Sequence, residues 1–331
     1  MTPQDRPRSN ALRPNRLRYA ARLNAFKVKG GTVADMIAGA GKVGGLAAAD
    51  LNYPDHFAAH DPATLSLLLA DQGMVLNGLA LRYYTEDGFK LGAFTHPDAT
   101  IRRAAIDLTK KGIDACAAMG GTQMTLWMGQ DGFDYSFQAD YGRMWDDTIA
   151  ALAEVADHNP AIDIAVEYKP NEPRAHSLMP DMATTLLALD EVSRPNTGVT
   201  LDFAHMLYAG EMPAKAAMLA ARKSRILGLH LNDGYGKRDD GLIAGSVHPV
   251  QTVELLVAML RAGYAGVIYF DTFPDHSGID PVAESRANIR LTDRLLDVAH
   301  HLADDPALAA AQSRQDAADA TTRVMAALIG A

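Results

Sequence analysis

Eight short β-rich runs, each followed by a segment with helical period, constrain this chain more than any other feature. They are RYAARLNAF (18–26), GLAAADL (45–51), MVLNGLALRY (74–83), TQMTLWMG (122–129), IDIAVEYK (162–169), TGVTLDF (197–203), ILGLHLND (226–233) and GVIYFDTF (266–273). Strands alternating with helices call for βα units and a parallel sheet. An open doubly wound sheet competes with a closed barrel, since periodicity does not register closure. The count of eight and a length of 331 residues favour a (β/α)8 TIM barrel, which takes about 250 residues plus extensions. The expected organisation is an N-terminal arm (1–18), a barrel catalytic domain (19–303) and a C-terminal helical tail (304–331).

The sequence also contains a decoy. Gly39-Ala-Gly41-Lys-Val-Gly44 matches a dinucleotide fingerprint. Such a fingerprint binds pyrophosphate only after a strand and at the start of a helix. Here it follows the helical segment TVADMIAGA and precedes a strand, so it reads as a helix C-terminal loop. Composition excludes other classes. A formal charge of −9 repels phosphate backbones, so nucleic acid is not an expected partner. The Arg- and Pro-rich first residues contain no apolar signal core, and no apolar run is long enough for a membrane span. The expectation is a cytoplasmic protein with no membrane contact. The lone cysteine, Cys116, reads as a small buried residue.

In a barrel, polar residues at the C-terminal strand ends converge on one mouth, where active sites sit. The fifth run puts Glu167 and Lys169 on one face with Tyr168 opposite. The sixth ends on Asp202 with His205 just beyond. The seventh puts His230 and Asn232 on one face, and the eighth ends on Asp271. Singly, each has an ordinary structural explanation, as a helix cap or a satisfied partner. Together, Glu167, Asp202, His230 and Asp271 lie at equivalent heights on successive strands and form an oxygen-rich set of formal charge −3. Such a set calls for protons or a cation. A divalent cation is the economical solution, and the oxygen-rich set favours Mn2+, Mg2+ or Co2+ over the softer zinc without choosing among them. Lys169 is either an ion-pair partner of Glu167 or a donor to a substrate oxygen that becomes anionic.

The strings EYKPNEPRAH, LDFAH, LHLND with DDGLIAGSVHP, and YFDTFPD resemble the xylose isomerase-like sugar isomerase/epimerase barrels, most closely the L-rhamnose isomerase type. The likeness runs from about His96 to Asp275. It implies that Glu167, Asp202, His230 and Asp271 bind a structural metal and that Lys169 is catalytic. It also implies a second metal, or an activated water, near His205 and Asp239, although Gly241 stands where the family has another carboxylate. The stretch GAFTHPDATIRRAAID implies a ring-opening role for His96, which otherwise reads as a turn residue before Pro97. The stretch LWMGQDGFDY implies a substrate wall, with Trp127 facing sugar carbons and Asp131 accepting from a hydroxyl. Asn232 joins this substrate-binding set from its place on the seventh strand.

The implied function is a metal-dependent aldose–ketose isomerase acting on a free monosaccharide, as a homo-oligomer. No Gly-rich phosphate cradle follows the seventh and eighth runs, which favours an unphosphorylated sugar. Two alternatives share the barrel: a ketose 3-epimerase, which the family builds on two glutamates where this chain has Asp271, and a 3-oxo-glycoside lyase of the C-glycoside deglycosidase type, which would need a small partner subunit. An endonuclease IV-like phosphodiesterase would require more histidine ligands and a basic groove. A non-catalytic sugar-binding barrel would bind sugar without converting it.

Overall fold

The computed structural model describes residues 18–83 and 87–330. All but the last residue of the expected N-terminal arm therefore lie outside the described residues. Among the described residues ten strands are present: β1 (Tyr19–Arg22), β2 (Leu46–Tyr53), β3 (Val75–Leu81), β4 (Gln123–Trp127), β5 (Gly132–Phe133), β6 (Asp163–Glu167), β7 (His176–Ser177), β8 (Thr197–Asp202), β9 (Ile226–Leu231) and β10 (Ile268–Phe270). Eight of them close into a barrel in the order β1, β2, β3, β4, β6, β8, β9, β10, with β10 returning to β1. The neighbours are parallel throughout, as βα connections require. The two short strands β5 and β7 pair antiparallel, Gly132 with Ser177, and form a flap over the mouth side of β4 and β6.

The eight expected runs all carry barrel strands, and the first and last extend well beyond theirs, Tyr19–Arg22 and Ile268–Phe270. In the first run only Tyr19–Arg22 is extended, and Leu23–Phe26 turns into a single 3-10 segment. The reason is tertiary: the Asn24 side chain meets the His56 ring at 2.9 Å, and Lys27 N–H bonds back to the Asn24 carbonyl. Leu23, Ala25 and Phe26 stay buried in the turn, so their apolar character alone gave no warning.

Aspartates punctuate the sequence at helix starts. Asp61, Asp98, Asp140, Asp181, Asp280 and Asp305 each cap a helix by accepting a backbone N–H, and Asp61, Asp280 and Asp305 are followed by Pro at the first helical position. The main core lies between strands and helices, where Leu65, Ile113, Leu152, Val155, Leu189 and Leu255 are among the fully or nearly fully buried residues. Inside the barrel, Ala20, Ala48 and Tyr269 form a separate small cluster on the β1, β2 and β10 side. The 39–44 glycine segment ends the helix Val33–Gly41 and leads into β2, as read from the sequence. Beyond residue 303, helices Pro306–Ser313 and Ala317–Ile329 pack back on the barrel through Leu308, Val324 and Leu328. Cys116 is buried, its thiol donating to the Gln123 carbonyl. Among the described residues, no helix is long and apolar enough to cross a membrane.

Candidate functional site

Glu167 and Asp202 are the last residues of β6 and β8, and Asp271 follows the last residue of β10. His230 on β9 is in register with Asp202 on one side and Tyr269 on the other. These strand ends bring one imidazole nitrogen and three carboxylate oxygens within 4.8 Å of one another, a group that could hold a metal ion. His230 Nδ1 lies 3.0 Å from Glu167 Oε1 and 3.9 Å from both Asp202 Oδ2 and Asp271 Oδ2. Tyr269 packs its ring on His230 at 4.4 Å between centroids, and Arg22 on β1 approaches Asp271 at 3.8 Å.

The electrostatics show how demanding this group is. Burial pushes the Asp202 carboxyl up to about 7, with Asp239, Glu167 and Asp271 adding repulsion against the opposing pull of His205. Burial also raises Asp271, opposed by His230 and Arg22. On His230 burial disfavours charge, but Glu167, Asp271 and Asp202 outweigh it and raise its pKa to about 10. Three buried carboxylates close together need shared positive charge.

Asn232 is tied to the four-residue group. Its amide donates to Asp202 and to the Asp271 carbonyl, its oxygen accepts from Ala204 N–H, and it has no exposed surface. These bonds orient Asp202.

A second cluster adjoins the first. Lys169, just past β6, is buried with Nζ 3.1 Å from Asp239 Oδ2, 2.9 Å from Glu172 Oε2 and 5.3 Å from the centre of the Trp127 ring. Burial works against charge on Lys169, but Asp239 and Glu172 outweigh it. His205 Nδ1 meets the Tyr168 carbonyl at 2.9 Å and Nε2 meets Asp239 Oδ2 at 3.2 Å. Both partners are acceptors, so both ring nitrogens carry protons. Accordingly Asp202 and Asp239 overcome burial and raise the His205 pKa to about 9. His205 and Lys169 together hold the Asp239 carboxyl well below its usual range, although burial opposes this. Asp239 Oδ1 is buried without a hydrogen-bond partner.

Trp127 and Asp131 share one wall, and Asp131 ties down the loop that leads to His96. Asp131 Oδ1 accepts from Ala93 N–H, Thr95 N–H and Thr95 Oγ1 at 2.6–2.9 Å, pinning the loop before His96. Asp131 Oδ2 is buried with no partner. His96 Nδ1 accepts from Asp98 N–H at 3.0 Å, so the turn reading describes half of its ring and leaves Nε2 to donate. Trp127, Asp131, Glu167 and Lys169 line one small cavity.

The model of the xylose isomerase-like TIM barrel family matches residues 40–295. The chain belongs to that family. It is 27% identical over 211 residues to a xylose isomerase from Thermus thermophilus, a match covering 61% of this chain and 54% of that protein, so it spans about half the length of this curated relative. Among solved structures it resembles a D-allulose 3-epimerase from Methylomonas sp. in complex with D-allulose (21% identity, TM-score 0.66, 85% of this chain and 98% of that one). It also resembles an L-ribulose 3-epimerase (17% identity, TM-score 0.68, 87% of this chain and 97% of that one). At these identities the structures report the shared barrel.

Gly241 stands where the resemblance implied a second carboxylate. Gly241 has φ +57, and a Cβ there would lie 2.3 Å from the Phe273 ring, so the carboxylate expected at this position has no room. Lys169 and His205 already share Asp239 Oδ2. Among the described residues, one group of four acids and imidazoles has metal-holding geometry, and His205 with Asp239 is not part of it. Sequence reasoning missed Glu172, the second carboxylate on Lys169, and Arg22, the cation beside Asp271. The signal for Arg22 was a charged residue closing the first barrel strand. It also passed over Asp233, whose buried carboxylate ties Gly234 to Val247 and His248 and so shapes the loop that carries Asp239.

Proposed function

We propose that the chain is a divalent-metal-dependent aldose–ketose isomerase of the L-rhamnose isomerase kind, acting on a free monosaccharide. The observation that carries this reading is the Lys169, Asp239 and His205 cluster beside the four-residue group, with Asp239 Oδ1 buried and unpartnered. Glu167, Asp202, His230 and Asp271 would hold the metal: three carboxylates and one imidazole suit Mn2+, with Mg2+ or Co2+ as alternatives. When bound, it would polarise the substrate carbonyl and fix two neighbouring oxygens.

The remaining steps fall to the side chains. Trp127 presents its ring to the sugar carbons. His96 Nε2–H hydrogen-bonds the ring oxygen of the closed sugar, which takes up the proton that leaves the anomeric hydroxyl as the ring opens. Lys169 donates to the oxygen that gains negative charge as the bond order shifts between C1 and C2. The C2 hydroxyl proton passes to the oxygen on C1, with Asp239 Oδ1 as the hydrogen-bond acceptor that orients that hydroxyl, while one hydrogen passes from C2 to C1. Aldose and ketose then differ only in the placement of those hydrogens, and the reaction balances without a redox partner.

A ketose 3-epimerase is the second reading, supported by how nearly this chain matches the whole length of the epimerase structures. Turnover separates them. Chelated enzyme is reloaded with Mn2+, Mg2+ or Co2+ singly and given aldoses and ketoses, with products resolved by chromatography. Metal-restored interconversion of an aldose with its ketose is expected. Conversion confined to ketose epimers would overturn the isomerase in favour of the epimerase. No conversion of any sugar would overturn both and direct attention to 3-oxo-glycoside cleavage with a partner subunit.

A further inference from the structure

Arg22 ends β1, and its place beside the four-residue group follows from strand register. Ala21 pairs with Phe270 across the parallel β1–β10 pair, so the next residue on each side, Arg22 and Asp271, lie next to one another. The Arg22 side chain is only 13% exposed, and its whole head is engaged. Nε faces Asp271 Oδ1 at 3.8 Å, while Nη1 and Nη2 meet the two oxygens of Asp275 at 2.8 and 3.4 Å. The guanidinium also lies 4.8 Å from the centre of the Phe273 ring. A planar fork can meet all three partners at once, whereas the single charge of a lysine cannot. The segment that Arg22 grips is held from behind as well. The buried Thr272 Oγ1 donates to Glu284 at 2.9 Å, and Phe273 N–H donates to the Gly241 carbonyl at 2.9 Å.

The two oxygens of Asp271 are thereby divided: Oδ1 is the one nearest Arg22, and Oδ2 is the one nearest His230 Nδ1, at 3.9 Å. We infer that Arg22 is a positioning residue that keeps Asp271 a one-oxygen ligand and so makes the four-residue group select a small, octahedral cation over calcium. This inference rests on the metal-dependent reading given above. A carboxylate free to turn can offer both oxygens to one ion. Calcium takes about six to eight oxygens and accepts two from one carboxylate, whereas magnesium demands near-octahedral geometry at shorter range. Turning Oδ1 away from Arg22 would leave a buried guanidinium short of one of its two carboxylates, which is costly. Arg22 also offsets one unit of the group's negative charge. That effect weakens the binding of every divalent ion alike, so it cancels in the preference between two of them.

The test reads that preference with no substrate present. Chelated wild-type protein and its variants are titrated with Mn2+, the free ion being followed by electron paramagnetic resonance, and Mg2+ and Ca2+ are then used to displace it. In Arg22→Met the ratio of Mg2+ to Ca2+ affinity is expected to fall by about 10-fold or more, the scale on which losing a partner of a metal ligand acts. In Arg22→Lys, which keeps the charge but loses the fork, the ratio is expected to fall by about threefold or more. Two affinities that move by one common factor, a ratio that rises, or no change at all overturns the inference and leaves the metal-dependent reading intact. Wild type that binds no divalent ion overturns both. Should Arg22→Met fail to fold, Arg22→Lys decides alone.

Discussion

Two loops at the barrel mouth are each organised by one buried aspartate, and the two use their oxygens differently. Asp233 is fully satisfied: Oδ1 accepts from Gly234 N–H and the His248 ring, and Oδ2 accepts from Val247 N–H and His248 N–H, all at 2.8–2.9 Å with no exposed surface. Asp131 is half satisfied, with three donors on one oxygen and none on the other. A carboxylate with every lone-pair direction engaged inside the protein is scaffold, because nothing remains to offer a ligand. One that keeps a buried oxygen unengaged bears a cost that folding alone does not require. The same distinction separates Asn232, whose amide is spent on Asp202, Asp271 and Ala204, from Asp239, whose Oδ1 is unengaged.

The largest effect on stability should therefore fall on the satisfied residue. Asp233→Asn turns one acceptor oxygen into a donor facing two backbone N–H groups, or the His248 ring and an N–H. The expected loss is about 2–4 kcal/mol in denaturant unfolding, with activity falling as the Asp239 loop loosens. Asp131→Asn should unfold within about 0.5 kcal/mol of wild type. Equal destabilisation of the two would break the comparison. On activity the order reverses toward the strand ends. Asp202→Asn is expected to lose bound metal and turnover together, checked by elemental analysis of the purified variant. Normal metal content would remove Asp202 from the ligand set. Lys169→Met should retain metal and fold while turnover drops about 10²-fold or more, the usual scale for removing a donor to developing negative charge. Unchanged turnover would reduce Lys169 to the ion-pair partner that its contacts with Glu172 and Asp239 also allow.

How much of this was legible in the sequence follows the range of the interactions. The eight barrel strands and the equivalent heights of Glu167, Asp202, His230 and Asp271 are consequences of local period and strand polarity, both written in short windows. The limit of the first strand at Arg22 was not, because the turn at Leu23–Phe26 is held by His56, more than thirty residues away in sequence. Nor were the internal partners of Asn232 and Asp131, which come from Asp202, Ala204 and Asp271 in one case and from Ala93 and Thr95 in the other. The flap strands β5 and β7 are two residues each, too short for any periodicity to register. Gly241 was visible as a departure from the family pattern, but its reason, the Phe273 ring against a left-handed backbone, needed coordinates.

His56 extends the comparison to an imidazole and gives its smallest test. Nδ1 accepts from Asn52 N–H at 3.1 Å, and Nε2 then carries the proton and donates to Asn24 at 2.9 Å, so the neutral ring is fully engaged. Burial, with Arg82, Lys27 and Arg22 adding repulsion, lowers its pKa from 6.5 to about 4. A histidine depressed in the folded state keeps its stabilising effect above the unfolded value. That effect is lost as pH falls from about 6.5 to about 4, because the unfolded chain takes up a proton that the folded one refuses. The expected slope from this one group is up to ~1.4 kcal/mol per pH unit. Chemical denaturation of wild type and His56→Asn across that interval isolates it: the difference between the two should shrink toward acid. A difference that stays constant with pH would mean that folding leaves the His56 pKa where the unfolded chain has it, and that full engagement in the neutral form does not by itself exclude a second proton.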